Sequence, residues 1–452
     1  MKKKISPLKR VITALAVVCT VFLFCELAIR IIIDLPVKTD FYSSIGRDKI
    51  ASLQKKHGLV ANTGGAWIHL GWIADPEREH YTIYRIDGGR MLEIGSTEFG
   101  SFLLSPCEPG TSHTLRVASR DGGFDHTVTV RTKNESGAPA LIPYIATKWR
   151  PLFRPRETGN YMNDHAIFKT RDGTWHIIGI TAFGEGDYSK ELYFAHGSSR
   201  EFPPGEGMMT ERAPVADYGR LAWAPHVIQE DRLYMWFSPH RAYLATGEEG
   251  FRWREERERS FLPYHPQFRD PMVLRVAPGQ WLMYATARSG YFSRVDVYQS
   301  FDLEHWQYIR PALAMRCGAE RSGAQASTES PFVFFHEGRY YLSVTYNNDS
   351  FFWNPLLLSM RIWLDRPSYN DTLVFSCENP YSFGEYRGRK RPSRLAAVLQ
   401  AHAPEYVYAH GRWYITTAGW PWIASLTRGE VAVAELGWRR SREQGEEDSR
   451  KR

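Results

Sequence analysis

The sequence predicts an all-β protein: an N-terminal transmembrane helix, then a β-sandwich, then a five-bladed β-propeller. Three observations carry that expectation. A strand–turn–strand outline recurs five times between Tyr144 and Trp438. Ahead of it, from Gly64 to Thr132, lie short alternating runs separated by turn stretches. Ahead of those, residues 11–33 (VITALAVVCTVFLFCELAIRIII) form one apolar segment just long enough to cross a bilayer as a helix.

Length and composition fit this division. A chain of 452 residues is too long for one ordinary core. It is 43% hydrophobic and 24% charged, as folded proteins are, and its aromatic share, 14% with 15 Trp, suits pleated surfaces and sugar-facing clefts. The net charge of +7 sits partly in the leader MKKKISPLKR (residues 1–10) and partly in Arg387–Arg394, read as a solvated loop between blades four and five. No nucleic-acid motif accompanies it, so the basic balance reads as solubility and membrane topology, with no nucleic-acid partner. The mixed-sign tail, 439–452, reads as solvated. The five cysteines contain neither a CxxC pair nor a Cys/His zinc spacing.

Taken in order, Lys2, Lys3, Lys4, Lys9 and Arg10 precede the apolar segment, placing the N-terminus in the cytoplasm and the body outside. A cleavable signal peptide competes with this reading, but no small-x-small cleavage site follows the apolar core, which favours an uncleaved signal anchor. Residues 34–62 form a polar connector with a short helix around Asp48–Lys56. In residues 63–133 the runs AWIHLGW, HYTIYRI, MLEIGS, SFLLS, HTLRVAS and HTVTVRT are divided by turns such as IDGG and RDGG, the spacing of a β-sandwich. Trp72, Tyr84-Arg85 and Pro109-Gly110-Thr111 resemble positions of a fibronectin type III domain, with His113 where a Tyr is usual. No reactive cluster appears in this region, so a spacer or accessory sugar-binding role is expected. Asn134–Pro143 reads as a linker.

The propeller occupies residues 144–438. Its five units open at Asp164, Ala224, Asp270, Ser330 and Ala403. In four of them a Pro (Pro225, Pro271, Pro331, Pro404) starts the first strand, where a missing donor costs least. A turn follows, then a strand led by an aromatic: Trp175, Tyr234, Trp281, Tyr340 or Trp413. The gaps between units hold two outer strands each, as a four-stranded blade requires, and a closed ring of blades leaves no long exposed edge. The first strands then line the central channel. Asp164, Asp270 and Glu329 stand at equivalent positions and face one another at one mouth of it. Such a group suits glycoside hydrolysis, which needs one carboxylate to attack or activate water and one protonated acid for the leaving oxygen. Crowding raises the pKa of neighbouring acids, which keeps one protonated near neutrality. Glu405 and His226 follow their Pro and are expected to point away.

These units resemble the five-bladed propeller glycosidases: the invertase/levansucrase-like families 32 and 68, and family 43. "YMND" with its following Gly and Trp resembles one invertase block, "FRDP" at 268–271 matches another, and "ESP" at 329–331 resembles the acid motif. "WAPHV" at 223–227 and "HAPEYV" at 402–407 look like family 43 elements. The resemblance implies that Asp164 is the nucleophile of a retaining enzyme or the base of an inverting one. It implies that Asp270 stabilises the transition state or tunes a pKa, and that Glu329 is the general acid. Arg269 would bind a sugar hydroxyl, and Asn163, Trp223 and His402 would line the sugar pocket. No cofactor is required, although a central calcium ion near His402 stays open by analogy with family 43. His165 departs from the pattern, replacing a Pro. The resulting expectation is a membrane-anchored, extracytoplasmic glycosidase acting on an oligo- or polysaccharide through a furanoside-type or related bond. A transglycosylase and a non-catalytic glycan-binding propeller are the alternatives.

Overall fold

The computed structural model describes residues 46–440, apart from 77–79, 135–137, 184–186, 206, 262, 266, 290–291, 317–325, 349–368, 389–391 and 422–425, together with Val17 and Thr20. Among the described residues no helix is long and apolar enough to cross a membrane. That overturns the single-pass membrane placement expected above; the apolar segment at 11–33 falls outside the described residues, as does the tail at 441–452.

The connector does carry a short helix, α1 (Arg47–His57), which ends where Gly58 turns left-handed (φ 60°) and its N–H reaches Gln54 O at 2.7 Å. Its buried Ile50 and Leu53 pack on Ile73 and Phe301, tying it to both bodies of the protein. Seven strands then form two sheets: β1 (Val60–Thr63), β2 (Ile68–Gly71), β3 (Tyr81–Asp87), β4 (Arg90–Thr97), β5 (Ser101–Leu104), β6 (Ser112–Ser119) and β7 (Asp125–Arg131). The sheet orders are β1-β2-β5 and β4-β3-β6-β7. Alternation puts Tyr81 and Ile83 of β3 and Leu115 and Val117 of β6 inside, around Trp72 and Phe124. This sandwich is fastened to the rest of the chain by specific polar contacts. Gln299 Nε2 donates to Gly100 O (2.6 Å), Trp67 Nε1 donates to Glu378 O (3.1 Å), and His69 stacks on Tyr381 at 3.6 Å.

The chain continues through β8 (Leu141–Ile145), which takes up the end of the expected linker, and β9 (Arg150–Phe153). Five sheets follow. The first holds β10 (Asn163–Lys169), β11 (Trp175–Ile180), β12 (Phe194–Ser199) and β13 (Thr210–Val215). The second holds β14 (Trp223–Gln229), β15 (Leu233–Ser238), β16 (Tyr243–Gly247) and β17 (Arg254–Glu255). The third holds β18 (Arg269–Ala277), β19 (Gln280–Ser289), β20 (Phe292–Ser300) and β21 (Gln307–Arg316). The fourth begins with β22 (Ala326–His336), β23 (Arg339–Asn348) and β24 (Asp371–Cys377). The chain then visits the third blade as β25 (Gly384–Tyr386), parallel to β21, and returns as β26 (Leu395–Gln400) to complete the fourth. The basic run Arg387–Arg394, of which 389–391 lie outside the described residues, therefore falls in sequence between β25 on the third blade and β26 on the fourth, and not at the junction with blade five.

The last blade, β27 (Tyr406–Ala409), β28 (Arg412–Thr417) and β29 (Val431–Arg440), is closed by a strand from the start of the ring, because β8 pairs antiparallel with β29. A strand from the start of the ring thus completes the sheet of its last blade and covers the edge of β29 that would otherwise be open. Apolar seams fill the blade-to-blade spaces. Between blades four and five, Phe334 stacks on Tyr406 at 4.5 Å and lies 5.0 Å from Trp413, whose Nε1 donates to His336 Nδ1.

Candidate active site

Each blade carries the same backbone turn on its first strand or, in blade five, just ahead of it. Asp164, Ala224, Asp270, Ser330 and Ala403 all have left-handed backbone, with φ of 29°, 45°, 56°, 48° and 44°. In the first four blades the pairing with the second strand shifts register at that point. This is a bulge repeated around the channel, and non-glycine residues held there concentrate at functional sites. It also corrects one expectation. Asp164 and Asp270 are equivalent, but Ser330 is their counterpart in blade four. Glu329 stands one residue earlier, level with Asn163, Trp223, Arg269 and His402.

The three acids nonetheless meet. Ser330 joins two of them, its hydroxyl donating to Asp164 Oδ1 and its N–H to Asp270 Oδ2 at 2.9 Å. Asn163 Nδ2 donates to the other oxygen of Asp164 at 2.6 Å. Glu329 accepts from Arg269 Nη2 (2.7 Å) through one oxygen and from the Tyr369 hydroxyl (2.6 Å) through the other. Arg269 Nε lies 3.6 Å from Asp270 Oδ2, so one guanidinium spans two carboxylates. Burial and the charge of Asp270 push the Asp164 carboxyl well above its usual range, against the Ser330 hydrogen bond. Asp164 keeps some accessible surface, but its carboxyl is densely enclosed. Burial raises Asp270 to about 6 despite Arg269. The site is a set of three acids around one cation, with hydrogen-bond donors and acceptors in direct contact.

The remaining expected residues divide. Trp223 and Arg269 keep accessible surface at the mouth. Asn163 and His402 are 0% exposed and stand behind the acids instead of lining a sugar pocket. His402 Nε2 meets Asn163 Oδ1 at 2.8 Å and Nδ1 meets Tyr369 O at 2.9 Å. With both ring nitrogens taken by protein oxygens, His402 does not fit a calcium ligand in this arrangement. Glu405 and His226 were expected to point away, yet both border the channel space directly below Asp164 and Asp270. Residues two apart on a strand share a side, which the alternation argument misapplied.

Three participants escaped sequence reasoning. Ser330 was visible as the head of a unit, and its motif "ESP" set it beside Glu329. Tyr369 lies between β23 and β24 with no motif around it. Glu191 lies on the loop after β11, where its side chain accepts from the Tyr161 hydroxyl at 2.6 Å.

Fold and site together are a five-bladed β-propeller with a buried carboxylate cluster contributed by three of its blades. A sequence model of the Glycosyl hydrolases family 32 N-terminal domain matches residues 226–349, a stretch that includes Asp270 and Glu329 and excludes Asp164. The match agrees with the resemblance read from the motifs and supports glycosidase activity. No curated protein matches the chain. Similar solved structures include a thermostable family-43 glycoside hydrolase, 15% identical over 63% of this chain and 92% of that one, with a TM-score of 0.43. They also include the β-fructofuranosidase of Schwanniomyces occidentalis, 14% identical over 64% of this chain and 59% of that one, with a TM-score of 0.44. Fructan 1-exohydrolase IIa of Cichorium intybus is 11% identical over 66% of this chain and 61% of its own, with a TM-score of 0.43.

Proposed function

We propose that this protein hydrolyses a furanoside-type or related glycosidic bond of an oligo- or polysaccharide at the Asp164–Asp270–Glu329 cluster. The observation that carries the reading is the direct wiring of three acids from three blades through Ser330 and Arg269. Asp164, braced by Ser330 and Asn163, attacks the anomeric carbon or takes a proton from the water that does. Glu329 protonates the leaving oxygen. Arg269 leaves Glu329 for a sugar hydroxyl, so that positive charge moves away from the acid as the leaving group arrives. Asp270 stays behind as the fixed charge that favours an oxocarbenium-like transition state. Trp223 offers a ring face to the sugar. The sandwich, with its 1-2-5 and 4-3-6-7 sheets, is read as a fibronectin type III-like accessory domain.

The test is turnover of 4-nitrophenyl furanosides and of sucrose by the wild type and by Asp164→Asn and Glu329→Gln. Both variants should lose at least about 10³-fold in kcat/KM, in line with removal of an acid or base and the accompanying charge stabilisation. Unaltered hydrolysis by both would refute the assignment. Glycan binding without cleavage by the wild type would refute the enzyme.

A further inference from the structure

A fourth carboxylate stands behind the site. Glu191 is 2% exposed and follows the short turn Tyr188–Lys190 between β11 and β12. Its Oε1 accepts from the Tyr161 hydroxyl at 2.6 Å and from Trp420 Nε1 at 3.4 Å. The Trp223 indole N–H also lies near enough to stabilise the carboxylate, although it forms no hydrogen bond of its own. Its backbone oxygen takes the Ala222 N–H at 2.8 Å, which anchors the approach to Trp223.

What Glu191 holds leads to the acids on both sides. Trp420 stacks on Tyr369 (5.9 Å, 18°) and meets Tyr188 edge-on (6.0 Å). Tyr369 in turn donates to Glu329. Tyr161 is three residues ahead of Asp164 on the same segment. The titratable groups facing Glu191 are Tyr161 and Tyr188, with Asp164 feeling its charge across the pocket. Among the described residues no cation contributes to holding it ionised; its partners there are a hydroxyl and two indoles. A glutamine would accept the same hydrogen bonds without the cost of a buried charge. An acid at this place therefore adds what an amide would not, a titrating charge.

We infer that Glu191 is a positioning residue of the glycosidase site: its carboxylate holds Tyr161, three residues ahead of Asp164, and the Trp420 ring that stacks on Tyr369, the donor to Glu329. The inference rests on the reading of the previous subsection. Burial raises Glu191 to about 6, opposed by its hydrogen bonds, so its charge appears within the working range of a hydrolase. Once ionised it raises the pKa of Asp164 further, holding the acid limb of the rate profile at higher pH.

The experiment uses the full chain with Glu191→Gln and Glu191→Ala, and a 4-nitrophenyl furanoside the wild type cleaves. Glu191→Gln should keep KM within about threefold and move the acid limb of kcat/KM down by roughly 0.3–1 pH unit, because the charge is gone while the acceptor remains. Glu191→Ala should raise KM by about tenfold or more, the loss of a buried acceptor and of the rings it holds. An unmoved limb in the first together with an unmoved KM in the second overturns the inference. A second readout needs no turnover. In the ¹⁵N-tryptophan-labelled protein, indole signals assigned by Trp223→Phe and Trp420→Phe should titrate with a midpoint near 6 and stop doing so in Glu191→Gln. If the wild type cleaves nothing, the glycosidase reading falls. Indole signals that do not respond, or that titrate unchanged in Glu191→Gln, refute the role of Glu191 itself.

Discussion

Replacing Asp270 by Asn should make the protein more stable near neutral pH and nearly inactive. Asp270 is 7% exposed, and burial lifts its carboxyl from 3.8 to about 6. A carboxyl whose folded pKa lies above its unfolded value binds its proton more tightly in the native state. Its contribution to stability is therefore complete below about pH 3.8 and is lost progressively as pH rises through 6. At 1.36 kcal/mol per pH unit, the interval from 3.8 to about 6 corresponds to roughly 3 kcal/mol of destabilisation at pH 7.5. The amide removes that penalty and can still accept the Ser330 N–H, but it leaves Arg269 with one anion fewer. A net gain of about 1–2 kcal/mol at pH 7.5 remains after that loss. Melting followed by scanning calorimetry at pH 7.5 should rise by a few degrees, and at pH 4 the two proteins should melt almost together. A variant that melts lower than wild type at pH 7.5, or gains equally at both pH values, would contradict the burial of a charge-averse acid at this position.

Ser330→Ala removes a donor that lowers the Asp164 pKa, so the acid limb of kcat/KM should move to higher pH; a limb that stays or falls would show that Asp164 does not act ionised. Tyr369→Phe takes away the 2.6 Å hydroxyl contact with Glu329, and kcat/KM should fall about 10-fold, the worth of one hydrogen bond that positions the reacting acid. His402→Ala leaves Tyr369 O and Asn163 Oδ1 without their partner, and chemical denaturation should show a loss of about 2–4 kcal/mol. Because both His402 nitrogens are engaged by protein, treatment with EDTA should leave turnover within about twofold, and restoration of lost activity by calcium would contradict this.

How far the sequence could be read depended on whether a feature was local. The hairpins of the five units were legible because apolar runs, turn residues and a leading aromatic lie within twenty residues of each other. Asp164, Asp270 and Glu329 were legible because each heads such a hairpin. The one-residue offset of Glu329 was not, since it follows from the left-handed bulge at Ser330, and none of the five left-handed positions holds a glycine or asparagine to betray it; they are Asp, Ala, Asp, Ser and Ala. Closure of blade five by β8 joins residues almost 300 positions apart, and no short pattern announces it. Tyr369 and Glu191 come from loops whose neighbours in sequence are unrelated to their neighbours in space. Asn163 and His402 show the opposite failure. They were found through motifs and assigned to sugar contact, whereas complete burial makes them a brace for Asp164.

His165 is the place where motif and geometry explain one another. In blades two to five the residue after the left-handed position is Pro, which needs no partner for a missing N–H. In blade one that residue faces the seam where the ring closes. His165 Nε2 meets Thr416 Oγ1 at 2.8 Å, and the same oxygen takes the Glu405 N–H at 3.0 Å. Burial lowers the imidazole to about 3, so it bonds as a neutral ring and adds no charge next to Asp164. Proline could not make the bond to Thr416. The exchange therefore joins the first strand of blade one to the second strand of blade five at the depth where Asp164 must be held. What looks in the motif like a lapse from the invertase pattern is a cross-blade contact at the closing seam, and it bears on the rigidity of the acid cluster more than on the choice of sugar.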